Sequence, residues 1–323
     1  MTTHQTTTNA TKKILNNKKG TDIILTSLGY KRIEKAYKNA HYINFDNNSK
    51  FIIMSDCHRG RGNVGDNFLS NQNLFYGALK YYYKQGFSYI ELGDGDELWE
   101  NKKLSEIIEV LADTFNIMSK FHQKKKLHMV YGNHDIIKRK KKYIKKHCEN
   151  HKNNQKKCNE SIFKTLKTYE SIILENKQIN SKIFMIHGHQ GDLLNDTFWP
   201  LARFLVRYLW SPLELIGFKA PISAGVSHQK RDIIEKKLAK FAKQKNHILI
   251  SGHTHRPIFA NPGSSLYFND GSCIHPGCLT GIEIANNQIS LVKWSVCTGK
   301  KQNLYVCRHI LEGPQNLEKY VNQ

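Results

Sequence analysis

The stretch Phe51-Ile52-Ile53-Met54-Ser55-Asp56-Cys57-His58-Arg59-Gly60 decides the fold. A strand wet on one face alternates apolar and polar positions, so the continuous run Phe51 to Met54 suits a strand covered on both faces. It passes directly into an acid and an imidazole spaced Asp-x-His, both able to ligate a metal. The pattern recurs along the chain. Asp94 follows Tyr89-Ile90-Glu91-Leu92-Gly93, and Asn133-His134-Asp135 follows Leu127-His128-Met129-Val130-Tyr131-Gly132. His187 follows Ile183-Phe184-Met185-Ile186, and His253-Thr254-His255 follows Ile248-Leu249-Ile250-Ser251-Gly252. Two amphipathic helices separate the first three strands, one marked by Phe68, Phe75, Leu79 and Tyr82, the other by Leu104, Ile107, Leu111, Phe115 and Met118. This alternation implies right-handed crossovers and a largely parallel sheet with its site at the carboxyl ends of the strands.

The 323 residues hold one large domain or two small ones, with a formal charge of +22. That charge points to anionic partners: a phosphorylated small molecule, a nucleotide or lipid substrate, a polyanion, or an acidic membrane surface met from the side. A lysine-rich background composition accounts for it equally well. Seven cysteines without regular spacing do not make a disulfide framework in so long a chain, and reduced thiols are expected. Met1 to Gly20 lack the apolar core of a signal peptide, which sets the expectation of a cytoplasmic protein, peripheral at most to the inner face of a membrane. The most lipophilic region, Phe198 to Phe218, is broken by Arg203, Arg207, Glu214, Pro200 and Pro212, so no transmembrane segment is expected.

Outside the strand pattern, residues 1–49 read as a basic arm with a peripheral helix across Tyr30 to Tyr42. A domain over 50–300 follows, with a tail over 301–323. Two insertions interrupt the domain. The first, 138–160, carries ten Lys or Arg against Glu149 between Lys138 and Lys157; like-charge blocks repel, so a solvated, partly disordered segment is expected. The second, 192–246, combines an aromatic first half with a basic amphipathic helix bearing Ile233, Ile234, Leu238 and Phe241, and reads as a helical lid or cap, or else as ordinary core. From Ser265 to Trp294, short β-type runs broken by Asn269-Asp270-Gly271, Pro276-Gly277 and Asn286-Asn287 predict antiparallel strands joined by tight turns.

Asp, Asn and His without cysteine point to manganese, iron, zinc or magnesium rather than to a structural thiolate site. Two such ions need a carboxylate between them, and Asp94, on the strand next after Asp56, is the candidate. Asp56-x-His58, Gly93-Asp94, Gly132-Asn133-His134-Asp135, His187-Gly188 and Gly252-His253-Thr254-His255 resemble, in order, the five signature blocks of the calcineurin-like metallophosphoesterase superfamily. The resemblance implies a four-layer αββα sandwich of two mixed β-sheets flanked by helices. It also implies two divalent metal ions, Mn2+ foremost. Asp56, His58 and His255 would hold one, Asn133, His187 and His253 the other, and Asp94 both. His134 would stabilise the transition state or protonate the leaving oxygen, with Asp135 orienting its ring. Arg59, Arg61 and His189 are candidates for substrate contact, since guanidinium matches phosphate oxygens in a fork. Glu97 or Asp96 is expected to support the loop without binding metal.

The function so implied is hydrolysis of a phosphate ester or pyrophosphate by hydroxide activated at a dinuclear site. The layout, with its lipophilic insertion between the His187 and His253 blocks, is also similar to UDP-diacylglucosamine pyrophosphatases, which usually carry Arg where His134 stands. Two further readings remain open: a non-catalytic scaffold of the same fold, and a nucleic-acid-binding protein resting on the charge alone.

Overall fold

Ile52 and Met54 turn one way and Phe51 and Ile53 the other, and each pair enters a different apolar layer. That two-sided burial organises the computed structural model, which describes residues 28–149, 151–153, 158–160, 162–196, 199–210 and 228–321. Helix α1 (28–38) leads into β1 (His41–Asn44) and β2 (Phe51–Met54). Helix α2 (Gln72–Lys84) precedes β3 (Ser88–Leu92), and α3 (Leu104–Val110) and α4 (Ala112–Gln123) precede β4 (Leu127–Val130). After the short α5 (Lys141–Ile144), β5 (His151–Asn153) pairs antiparallel with β6 (Cys158–Glu160). Strands β7 (Thr168–Tyr169), β8 (Ser171–Asn176) and β9 (Ser181–Ile186) follow, then α6 (Leu193–Asp196), α7 (Trp199–Leu205) and α8 (His228–Lys245). The chain ends in β10 (Ile248–Ser251), β11 (Tyr267–Asn269), β12 (Cys278–Ala285), β13 (Gln288–Thr298) and β14 (Leu304–Asn316).

Two mixed sheets face each other. One runs β1-β8-β9-β10-β11, the other β14-β13-β12-β2-β3-β4-β7. In the second, β2, β3, β4 and β7 are parallel and β12 to β14 antiparallel. Phe51, Ile53, Ile90, Leu92 and Val130 face the first sheet, while Ile52, Met54, Tyr89, Leu127 and Met129 pack under α2 and α4. On the outer face of the first sheet, Phe184 meets Tyr37 of α1 and Phe241 of α8 with ring centroids 5.1 and 5.8 Å away. Four layers, αββα, result, as the sequence leads one to expect. The β2-α2-β3 and β3-α3-α4-β4 crossovers leave the carboxyl ends of the parallel strands β2, β3 and β4 side by side.

Several boundaries differ from those expectations. Residues 28–44 are no peripheral arm: Ile33 and Ala36 are fully buried, and β1 extends the first sheet parallel to β8. Residues 1–27 lie outside the described residues. The stretch after 300 is no tail either, because β14 forms the edge of the seven-stranded sheet and Leu317 and Tyr320 return into the core. An edge strand exposes much of its length, which blurs the alternation that marks a strand. Helix α8 is a covering layer, with Ile234, Leu238 and Phe241 buried, so the second half of the 192–246 insertion is not a lid. The basic insertion is anchored as well, through buried Ile144 and Cys148. Asn269-Asp270-Gly271 is no hairpin turn, since β11 joins the first sheet parallel to β10 and the chain then crosses to β12 in the second. Against the expectation of reduced thiols, Cys297 and Cys307 form a disulfide across β13 and β14. The consecutive antiparallel strands bring these two cysteines, ten residues apart, together. No helix among the described residues is long and apolar enough to cross a membrane.

His128 on β4 is pushed by burial, and secondarily by His41, from the ordinary 6.5 down to about 4. Below pH 6.5 the unfolded chain takes up a proton that the folded chain refuses until about pH 4. Stability from this group is therefore complete above the ordinary value and lost on acidification, by up to about 3 kcal/mol. Urea titrations across this interval should show a shallower acid decline for His128→Gln than for the wild type; parallel declines would remove His128 as the cause.

Candidate metal centre

The ladder between β2 and β3 continues beyond both strands, and this continuation builds the site. Asp56 N–H donates to Gly93 O at 3.1 Å, His58 N–H to Asp94 O at 2.9 Å and Arg59 N–H to Gly95 O at 3.0 Å. Asp56 and His58 are thereby carried alongside Asp94. All three have left-handed backbones, with φ of 51°, 47° and 50°, and so do His253 and His255 at 68° and 56°. Such values are uncommon outside glycine and persist where the surroundings enforce them. They bend each chain so that successive side chains converge on one edge of the two sheets. Glycine at 132 is required by close approach, because any side chain there would overlap the Asp94 carboxylate.

Two clusters of ligating atoms form. Asp56, His58 and His255 make one, and Asp94, His187 and His253 the other, with the atoms of each within 4.8 Å of one another. Asp56 Oδ1 lies 3.1 Å from His255 Nε2 and 3.7 Å from His58 Nε2. Asp94 Oδ2 lies 3.1 Å from His187 Nε2 and 3.8 Å from His58 Nε2, so this one oxygen faces both clusters. The other oxygen of each acid is occupied: Asp94 Oδ1 accepts from His134 N–H at 2.8 Å, and Asp56 Oδ2 from His253 N–H at 2.8 Å and Ser55 Oγ–H at 2.5 Å. Meanwhile His58 Nε2, Asn133 Oδ1, His187 Nε2 and His253 Nε2 are buried without a hydrogen-bond partner. Buried polar atoms are ordinarily satisfied, and four unsatisfied donors or acceptors around two carboxylates are the donor set of a divalent cation site. The residues fit a divalent cation.

Electrostatics agree with that fit. Burial alone raises Asp56 and Asp94, but the surrounding imidazoles, His255 and His187 for Asp56 and His187 and His134 for Asp94, outweigh it and hold both carboxyls well below the ordinary range. Burial lowers His187, yet Asp94 and Asp56 overcome it and lift the group to about 9. His253 falls to about 4, first through burial and then through the neighbouring His187. Behind Asp56, burial and the Asp56 charge push Asp270 well above the carboxylate range, and Asp270 Oδ1 lies 2.7 Å from Ser55 Oγ. The Ser55 hydroxyl thus stands between the two acids, with a carboxylate oxygen of each within reach of its one proton. The Asn-Asp-Gly sequence conceals that role by imitating a turn.

The supporting residues are not those the sequence leads one to expect. Asp135 does not orient His134. It accepts from Gly132 N–H at 2.7 Å, Gly95 N–H at 3.2 Å and Lys138 Nζ at 2.7 Å, tying the Asp94 and Asn133 loops together. Glu97 takes the orienting position: its Oε2 lies 2.9 Å from His58 Nδ1 and 2.6 Å from His134 Nδ1. Burial raises Glu97, but His134 and then His58 bring it down to about 2. Trp99 stacks on the His134 ring at 4.1 Å and donates from Nε1 to Asn133 O at 2.7 Å. Arg59 is no substrate contact, because its side chain turns into the interior, away from the cluster that His58 joins. It is fully buried, forked onto Glu91 at 2.6 and 2.9 Å and bonded to Asp96 at 2.7 Å. Lys138, the first residue of the presumed solvated run, is buried with it, 2.6 Å from Asp96. Arg61 is exposed and pairs with Glu106 on α3 at 3.7 Å. His189 is buried with its ring 5.5 Å from that of His187, and it borders a cavity of about 420 Å³ lined also by Arg32, Lys35, Arg139 and Trp199.

A family model described as calcineurin-like phosphoesterase superfamily domain matches residues 50–286. Among solved structures, the chain is similar to the crystal structure of Chaetomium thermophilum Vps29, with 10% identity, a TM-score of 0.37, and coverage of 81% of this chain and 96% of that one. It is similar also to Chaetomium thermophilum Vps29 complexed with the RaPID-derived cyclic peptide RT-D3, with 9% identity, a TM-score of 0.34, and coverage of 81% and 95%. A search of curated proteins finds no match.

The Arg59 and Lys138 network should govern stability. Arg59→Met leaves Glu91 and Asp96 buried without their forked partner, and Lys138→Met strips Asp96 and Asp135. Each should lower unfolding free energy by about 3–5 kcal/mol, read as a fall in the urea midpoint at unchanged slope; a loss under about 1 kcal/mol in either would refute the assignment.

Proposed function

Because the chain belongs to the calcineurin-like phosphoesterase superfamily, we propose that it is a metal-dependent phosphohydrolase cleaving a phosphate ester or pyrophosphate bond. The observation that carries this reading is the set of four buried, unpartnered ligand atoms on His58, Asn133, His187 and His253, arranged around Asp56 and Asp94. A scaffold has no need to bury unsatisfied imidazoles and amides at a cost in stability. Asp56, His58 and His255 would hold one divalent cation, Asn133, His187 and His253 would hold a second, and Asp94 would serve both; Mn2+ is the first choice, with iron, zinc or magnesium compatible with the same nitrogen and oxygen donors. When bound, such a pair supplies Lewis acidity toward phosphoryl oxygens and lowers the pKa of water.

The chain's own residues do the rest. Glu97 Oε2 is hydrogen-bonded to His58 Nδ1 and lies 2.6 Å from His134 Nδ1; with that edge of the His134 ring turned to the carboxylate, Nε2 is the nitrogen that gives a proton to the leaving oxygen. His134 suits that role because its side chain is 22% exposed where that of His58 is 9% exposed, so substrate reaches it. Trp99 stacked beneath His134 prevents the ring from tipping.

A more specific reading rests on the first half of the 192–246 insertion. Leu201, Phe204, Leu205, Tyr208 and Leu209 are exposed on α7 and the turns that follow. Arg207 ties this segment to the loop behind Asp94 by donating to Trp99 O and Leu98 O, each at 2.7 Å. An apolar surface fastened beside the site favours a substrate carrying acyl chains, in the manner of UDP-diacylglucosamine pyrophosphatases, met at a membrane surface.

A chromogenic phosphodiester with Mn2+ should be hydrolysed by the wild type and not after chelation, and Asp94→Asn should lose at least roughly a hundredfold in kcat. Equal rates for the two proteins would sink the proposal. Glu97→Gln should cost roughly 10- to 100-fold, and His134→Ala roughly 10²- to 10⁴-fold, with the smaller loss on p-nitrophenyl esters, whose leaving group needs no proton. For the lipid reading, Phe204→Ser with Leu209→Ser should weaken sedimentation with anionic vesicles while sparing the soluble chromogenic substrate; unchanged sedimentation would reject it.

A further inference from the structure

We propose that Cys297, Cys307 and His309 form a second metal site, of thiolate and imidazole character, which binds a borderline or soft cation such as Zn2+ when the cysteine pair is reduced. The hairpin of β13 and β14 sets Cys307 opposite Ser295, Cys297 opposite Tyr305 and His309 opposite Lys293. The two cysteine Cα atoms are 6.0 Å apart, and His309 Nε2 lies 3.5 Å from Cys297 Sγ. Both sulfurs and an imidazole nitrogen fall within 4.8 Å of one another. A disulfide serving only to staple the hairpin gives no reason for an imidazole nitrogen against its sulfur. Two thiolates and one imidazole, by contrast, are three of the four ligands of a tetrahedral zinc site, with the fourth position open to solvent.

Location and chemistry both separate this site from the dinuclear centre. It sits on strands beyond β12, it contains no carboxylate, and its sulfur donors select Zn2+ or Cu+ where the Asp, Asn and His centre accepts harder ions. Cys297 is part-exposed and His309 exposed, so reductants and cations reach them. Lys293 opposite His309 and Lys300 and Lys301 in the connecting turn place positive charge on the same hairpin, which favours thiolate over thiol.

Opening the site is a two-electron step. A thiol reductant attacks one cysteine sulfur as its thiolate, the S–S bond breaks, and a second reductant thiolate attacks the resulting mixed disulfide. The reductant leaves as its disulfide, and two electrons and two protons remain on the protein as two thiols. Cation binding then displaces both protons to solvent. Oxidation by a small disulfide reverses each exchange and expels the cation.

Co2+ tests the site directly in the full-length chain. Reduced with a phosphine and desalted without oxygen, the wild type should develop thiolate-to-cobalt charge-transfer absorption in the near ultraviolet, lost on adding Zn2+. The oxidised wild type should not. Because the centre around Asp94 has no thiolate, it adds no such band, and loss of phosphohydrolase activity leaves this readout untouched. Cys297→Ser and Cys307→Ser should abolish the band, and His309→Ala should weaken Zn2+ binding roughly 10- to 100-fold, with far-ultraviolet circular dichroism confirming folding. A reduced wild type without the band, or a band that survives both serine variants and so belongs to Cys278 or the buried thiols, overturns the proposal.

Discussion

Two carboxylates buried among imidazoles, Asp56 and Asp94, set the terms for the rest of the molecule. Desolvating a carboxylate costs several kcal/mol unless positive charge and hydrogen bonds replace the lost water. Here each acid has one oxygen satisfied by the protein, through backbone N–H groups of His134 or His253, and one turned toward imidazoles. The fold provides this only where strands from both sheets end together. Strands β2, β3 and β4 supply one half of the donors and β9 and β10 the other, and the left-handed turns at Asp56, His58, Asp94, His253 and His255 are the local strain that the convergence entails.

Beneath this layer lies a second one. The left-handed turns at Asp56 and His58 bring these two side chains to the site while Cys57 and Arg59 are buried away from it, so one short stretch serves both. Arg59 and Lys138 balance Glu91, Asp96 and Asp135, and Asp135 holds the Gly95 and Gly132 amides. The loops bearing Asp94 and Asn133 are thus fastened to each other from below by charge and from above by Glu97 and Trp99. Positioning of this kind holds the side chains at the sheet edge in one geometry.

The five strand ends that carry Asp, Asn or His to the common edge are legible in the sequence because a continuous apolar run followed by such a residue is unusual, and five in order leave few architectures. What stays illegible depends on partners far away in sequence. Arg59 reads as a phosphate contact until its fork is found on Glu91; Lys138 reads as one more residue of a solvated run until three carboxylates are found around it. The adjacent Asp135 attracts the role of orienting His134 on sequence proximity, although Glu97, across the loop, has the geometry. Helix α8 has the same amphipathic face whether it covers a sheet or closes a lid, so periodicity alone cannot choose. Asn269-Asp270-Gly271 has turn chemistry, and only the pairing of β11 with β10 reveals that the acid points under Asp56.

Protons and cations compete for the same lone pairs at this edge. Burial by itself would keep His58 and His187 neutral, yet Asp56 and Glu97 for the first, and Asp94 and Asp56 for the second, pull both above the ordinary imidazole value. The field that draws a proton to these rings is the field that draws a divalent cation, and a cation must displace the proton to use the nitrogen. Any cation affinity at this edge would therefore rise with pH until the imidazoles are free. His253, held to about 4 by burial and by its neighbour, presents its lone pair over the whole neutral range. One ring of the second cluster thus keeps a free lone pair at neutral pH, while a cation reaching His187 beside it would have to displace a proton. That difference between neighbouring histidines follows from which of them faces the two carboxylates most closely, and so from the register in which β9 and β10 lie.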